Sequence, residues 1–154
     1  MISPNGFQIS KYWWDQFPFN LRLITKIRFF ASFGAGGVIY LTSLIFNNIG
    51  LSATEIGLGF TISAIIGTLT RFLTGNYLNK TVQIKYPLIF SSLITITAGF
   101  FLIFAKDIFL YIIGQSFIGA AAGIYWPAAE FGVPYFCNQI DTRKAYSLVR
   151  SAEA

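Results

Sequence analysis

Apolar residues in this chain fall into four long runs, separated by short polar or charged breaks. A helix that crosses a bilayer needs about 20 mostly apolar residues. Read between the charges, the runs predict membrane spans over about 27–47, 56–78, 86–105 and 108–129. The third is the most apolar, with eleven Leu, Ile and Phe residues. At roughly −0.5 kcal/mol each, they contribute about −5 kcal/mol to insertion before polar penalties. The second is interrupted by Arg71, which lies close enough to the end of its span to snorkel. The fourth is apolar in its first half and small in its second, around Gly119 to Gly123. Such a segment gains little from lipid and more from a close helix neighbour.

The breaks have turn and cap chemistry. Asn47-Asn48-Ile49-Gly50 reads as a turn, and Ser52-Ala53-Thr54-Glu55 as a helix start with an acid three residues after the cap. Lys106-Asp107 leaves room only for a tight hairpin. Residues 1–26 form an aromatic and basic leader suited to the headgroup level, predicted as a short interfacial helix on the cytoplasmic face. A cleaved signal peptide is disfavoured, because the first apolar run starts late and is longer than an h-region. Residues 130–154 read as a polar loop and the start of a possible fifth helix.

Composition agrees with a membrane protein. Of 154 residues, 55% are hydrophobic and 11% charged, against about 25% charged in an ordinary soluble domain. The net charge of +5 is spread between apolar runs, where nucleic-acid binding would require a basic stripe on a polar surface. With no His and a single Cys, Cys137, the usual parts of metal sites, Ser-His-Asp triads and intrachain disulfides are missing. No residue is assigned as catalytic, metal-binding or cofactor-binding, and the chain is not expected to be an enzyme. Basic residues cluster in alternate breaks. Lys11, Arg22, Lys26 and Arg28 precede the first span, Arg71, Lys80 and Lys85 flank the second break, and Arg143, Lys144 and Arg150 follow the fourth span. Only Lys106 falls in the other set. The positive-inside rule then places both ends in the cytoplasm of a plasma or inner membrane.

Polar groups inside spans are the candidates for function, since burying them is costly. Arg71 reads either as a snorkelling residue at the cytoplasmic edge or as one half of an ion pair with Glu130. Gln115 reads either as a helix–helix hydrogen-bonding residue or as a solute ligand. No Asp or Glu lies deep in any span, so no proton relay is visible. Gly59, Ser63 and Gly67 recur at four-residue intervals on the second span, Gly75 continues that register, and Gly119 and Gly123 form a GxxxG on the fourth. These spacings predict close helix packing. Gly34, Gly36 and Gly37 thin the first span, and Pro127 is expected to bend the fourth.

Three stretches resemble the N-terminal part of major facilitator superfamily transporters. They are Gly75-Asn-Tyr-Leu-Asn79-Lys80 after the second span, Gln115 to Pro127 with Gly119, Gly123 and Trp126-Pro127 in the fourth, and Arg143 to Ala152 leading towards a fifth helix. The resemblance covers Lys26 to the C-terminus. It implies an all-α polytopic fold of four helices from the first six-helix half, and transport of a small solute. It also implies gating-loop roles for Arg71, Gly75, Asn79, Lys80, Glu130 and Arg143. The chain departs from the family at Asn79 (usually Asp), Lys80 (Arg), Val82 (Gly), Gln83 (Arg) and Gln115 (Arg), the charges that latch the cytoplasmic gate there. Transporters of this kind rock two helix bundles around a central site. Four helices alone are therefore not expected to transport, and the remaining helices would lie in the same or another chain. The alternative is a standalone four-helix membrane protein, self-associated or partner-bound, with a structural or regulatory role. A small drug-efflux dimer fits less well, because residues 29–46 contain no acid.

Overall fold

The computed structural model describes residues 13–81, 83–137 and 141–152. These residues are helical, with no strand among them. The helices are α1 (Phe19–Ile49), α2 (Ala53–Thr81), α3 (Lys85–Phe104), α4 (Ile108–Phe136) and α5 (Thr142–Ser151). The first four are long and apolar enough to cross a membrane. The chain divides into two compact units, residues 1–35 with 132–154 and residues 36–131, and α1 and α4 belong partly to each.

In the larger unit the joints follow from their residues. Gly50, with φ +105°, ends α1 in the left-handed region where a side chain would be strained. Its N–H donates to the Asn47 carbonyl and the Leu51 N–H to that of Phe46, a pairing that satisfies the last carbonyls of a helix. Phe46 and Leu51 then enter one buried cluster with Ile56, Ala105 and Tyr111. Ser52 and Glu55 cap α2 reciprocally. The Ser52 N–H donates to Glu55 Oε2 at 2.8 Å, and the Glu55 N–H to Ser52 Oγ at 3.3 Å. The Asp107 carboxylate accepts from the Leu110 N–H at 2.9 Å and starts α4 immediately after α3. This hairpin is held by Phe101 stacked on Phe117 at 5.5 Å and by Gly114 beside Leu102. Of the four long helices, α4 is the most enclosed, 33% of its apolar window being buried against 11% for α1. A segment rich in Gly and Ala gains from helix contact what it does not gain from lipid.

In the smaller unit two long helices run beyond the predicted spans. The first long helix begins at Phe19 and takes in residues 19–26 of the leader, while residues 13–15 are helical separately before it. Residues 1–12 of that leader lie outside the described residues. At 31 residues α1 rises about 46 Å, well beyond a ~30 Å hydrocarbon core. The overrun is stable because Leu21, Ile24, Thr25 and Arg28, at helical spacing, are buried along one face. Likewise α4 runs past the expected end at residue 129, through Pro127 and Pro134 to Phe136.

Phe17, Leu21 and Ile24 pack with Val133, Cys137 and the Ala145, Leu148 and Val149 stripe of α5. The opposite face of α5 exposes Arg143, Lys144, Ser147 and Arg150, so this helix is strongly two-faced. Asp141 caps it by accepting from the Arg143 N–H at 3.0 Å.

Cys137 reports on this packing. Its thiol is 3% exposed and donates to the Val133 carbonyl at 3.0 Å. Burial pushes its pKa up, Asp141 adding to the effect against a Thr142 hydrogen bond. Thiolate is the reactive form. Maleimide labelling of the folded chain near neutral pH is therefore expected to be about a hundred-fold slower than in denaturing detergent, the factor for a local opening costing roughly 3 kcal/mol. Equal rates, followed by mass spectrometry, would show that this cluster does not form.

Candidate functional site

The second and fourth helices touch backbone to backbone. A Cβ built on Gly119 would fall on the Ser63 carbonyl, and one on Gly123 on Thr70 Oγ1 and the Gly67 carbonyl. A Cβ on Gly67 would stand 3.0 Å from the Gly119 carbonyl oxygen. At the other end of the contact, a Cβ on Gly59 would meet the Tyr111 ring, 2.8 Å from Cζ. Residue numbers rise together along both helices, so α2 and α4 run parallel. The five small residues picked out by their spacing, Gly59, Ser63, Gly67, Gly119 and Gly123, all lie on this one crossing.

Sequence reasoning missed Tyr111, which locks one end of the crossing. It is 0% exposed and its hydroxyl donates to the Ile56 carbonyl at 3.1 Å, while its ring lies 4.6 Å from that of Phe46. The available signal was its place eight residues before Gly119 and four before Gln115, on one stripe of α4. A buried tyrosine on such a stripe needs a partner for its O–H.

Gln115 sits on α4 one turn from Tyr111 and one turn from Gly119. It is 1% exposed, and its Nε2 has no hydrogen-bond partner among the described residues. A primary amide carries two N–H donors. Leaving a buried donor unsatisfied costs about 1–3 kcal/mol, so this position opposes stability.

The gating-loop candidates are dispersed. Arg71 is exposed on α2, and its backbone N stands 3.0 Å from a Cβ built on Gly123. Glu130 is half-buried near the end of α4 and is engaged with another group. Gly75 has nothing within 4 Å of a built Cβ, so the α2–α4 contact does not extend to it. Gly34, Gly36 and Gly37 are equally open. Asn79 and Lys80 are exposed on the last turn of α2, and Arg143 is exposed on the first turn of α5. Val82 lies outside the described residues.

Arg28, counted from sequence as a flanking charge, lies inside α1 and is 2% exposed. It is engaged with another group. A buried guanidinium is tolerated only when paired or hydrogen-bonded, which adds Arg28 to the candidates.

The crossing can hold two helices at fixed register and present one buried amide. It contains no nucleophile with an adjacent base. No group of three or more His, Cys, Asp or Glu side chains gathers among the described residues. No family model, curated protein or solved structure matches the chain.

Proposed function

We propose that this chain forms the first four membrane helices of a major-facilitator-type secondary transporter of a small solute, with both ends in the cytoplasm. The observation that carries the reading is Gln115. A polar side chain kept in the interior of a membrane bundle at a cost in stability is a candidate for a functional site by default. Its position on the glycine-packed crossing adds a fixed register for presenting that amide. The motif resemblance at Gly75 to Lys80, Gln115 to Pro127 and Arg143 to Ala152, together with the basic-residue bias, supports the family and the orientation. In this reading Arg71, Asn79, Lys80 and Glu130 line the cytoplasmic gate, and Arg143 belongs to the basic segment leading into a fifth helix. Without the family's Asp and Arg at Asn79 and Gln115, that gate closes through hydrogen bonds and packing. The remaining helices belong to the same or another chain, and the substrate class is a small solute.

An antibody against the leader tests the proposal in native membranes. The expected result is a band several-fold heavier than 17.2 kDa, or a band near that mass that co-purifies with a chain carrying further membrane helices. Access to the leader is expected only after permeabilisation. A single band near 17.2 kDa in one discrete self-associated complex would overturn the reading. That result would favour the standalone four-helix protein with a structural or regulatory role. Labelling of intact cells would overturn the orientation.

A further inference from the structure

Past the glycine contact, a groove of about 630 Å³ opens between the end of α2 and the start of α3. Leu73, Thr74 and Tyr77 line one side, and Tyr86, Phe90 and Leu93 the other. Its few polar atoms are already used. Thr74 Oγ1 donates to the Thr70 carbonyl at 2.8 Å, and Thr70 Oγ1 to that of Ile66 at 2.9 Å. The lining therefore suits hydrocarbon.

The mouth is different. Tyr77 and Tyr86 are exposed at the rim, the level that tyrosine prefers in a bilayer. Lys80 follows Tyr77 by three residues on α2. On α3, Lys85, Ile89 and Leu93 form one stripe at four-residue spacing. Helical spacing puts Lys80 on the Leu73 and Tyr77 stripe of α2 and Lys85 on the Ile89 and Leu93 stripe of α3, and both lysines are exposed. No Asp or Glu occurs between Glu55 and Asp107, so the α2–α3 hairpin itself brings only basic residues to this end. From Lys80 to Thr70 the helix rises about 15 Å, half of a ~30 Å hydrocarbon core and thus the depth of one leaflet.

We propose that this groove holds an acyl chain of an anionic phospholipid whose headgroup phosphate is gripped by Lys80 and Lys85. A further apolar helix would fill the groove but bring no anion to the lysines. A phospholipid answers both features, with its charge and its hydrocarbon at the observed separation. This inference depends on membrane insertion and not on the transporter reading.

The test uses native mass spectrometry of the whole chain, released from micelles containing equal amounts of phosphatidylglycerol and phosphatidylcholine. One retained phosphatidylglycerol is expected. The preference over phosphatidylcholine should be about thirty-fold at low salt, from roughly 1 kcal/mol per lysine, and should shrink as salt is raised. K80Q/K85Q should retain both lipids equally, because two exposed lysines can be neutralised without disturbing the fold. L73W, which fills the groove, should lose both lipids. Equal retention by the unmodified chain, or a preference unchanged in K80Q/K85Q, would overturn the proposal. So would a dimer free of lipid, or binding of inorganic phosphate alone at the same lysines.

Discussion

Replacing Gly119 by alanine is expected to part the second and fourth helices, while the same replacement at Gly36 stabilises the chain. The added Cβ at position 119 would fall on the Ser63 carbonyl, which is backbone and has no rotamer to escape into. The helices have to move apart, and the neighbouring approaches of Gly67 to Gly119 and Gly123 to Gly67 loosen with them. Overpacking of this kind costs about 3 kcal/mol, sometimes more. At Gly36 nothing lies within 4 Å of the built Cβ. There, helix propensity governs the outcome and alanine contributes up to about 1 kcal/mol. Unfolding by SDS titration in mixed micelles measures both. Removing the Ser63 side chain (S63G) should not rescue G119A, because the collision is with the peptide carbonyl. If G119A unfolds at the same SDS fraction as the parent chain, the helices do not meet at this register.

The second prediction concerns Gln115. Leucine has a similar volume and no donors, so Q115L removes an unsatisfied buried amide and should stabilise the chain by about 1–3 kcal/mol. Arginine at the same place should destabilise it by about 3–5 kcal/mol, the cost of a buried charge without a partner. Neither carboxylate along this helix is close enough to answer it. Asp107 is eight residues away, a rise of about 12 Å, and Glu130 fifteen residues away, about 22 Å. The same SDS titration gives both values.

Loss of transport in the assembled protein alongside a gain in stability for Q115L would be the expected trade between a functional polar group and packing. A destabilised Q115L would mean that the amide is satisfied where it stands, removing the observation on which the proposed function rests.

Much of the architecture was legible before any coordinates. The four spans follow from composition over windows of about twenty residues. That works because the bilayer acts on each segment separately, and a helix satisfies its own backbone there. The turn at Asn47 to Gly50 and the Ser52–Glu55 cap are local chemistry, confined to residues within a few positions of one another. The small-residue register on α2 and α4 was also visible, since helical spacing alone puts Gly59, Ser63 and Gly67 on one face.

Three features were not legible, each because it depends on residues distant in sequence. The reach of α1 back to Phe19 was hidden because Arg22, Lys26 and Arg28 lower the hydropathy of a segment whose opposite face, Leu21 and Ile24, is buried against α5 and the end of α4. The continuation of α4 through Pro127 was hidden similarly, since Val133 and Cys137 enter the same cluster. The bond from Tyr111 to the Ile56 carbonyl joins positions 55 residues apart.

Chain chemistry thus settles which segments are long and apolar enough to cross a membrane, where they turn and which faces are small enough to touch. Packing in three dimensions settles which of those faces meet, how far the helices run beyond the apolar windows and that the Gln115 Nε2 is buried without a hydrogen-bond partner among the described residues. The division has one cause. Insertion and turn formation are free energies of single segments, whereas register and burial are properties of pairs of segments, which the order of residues along one segment does not encode.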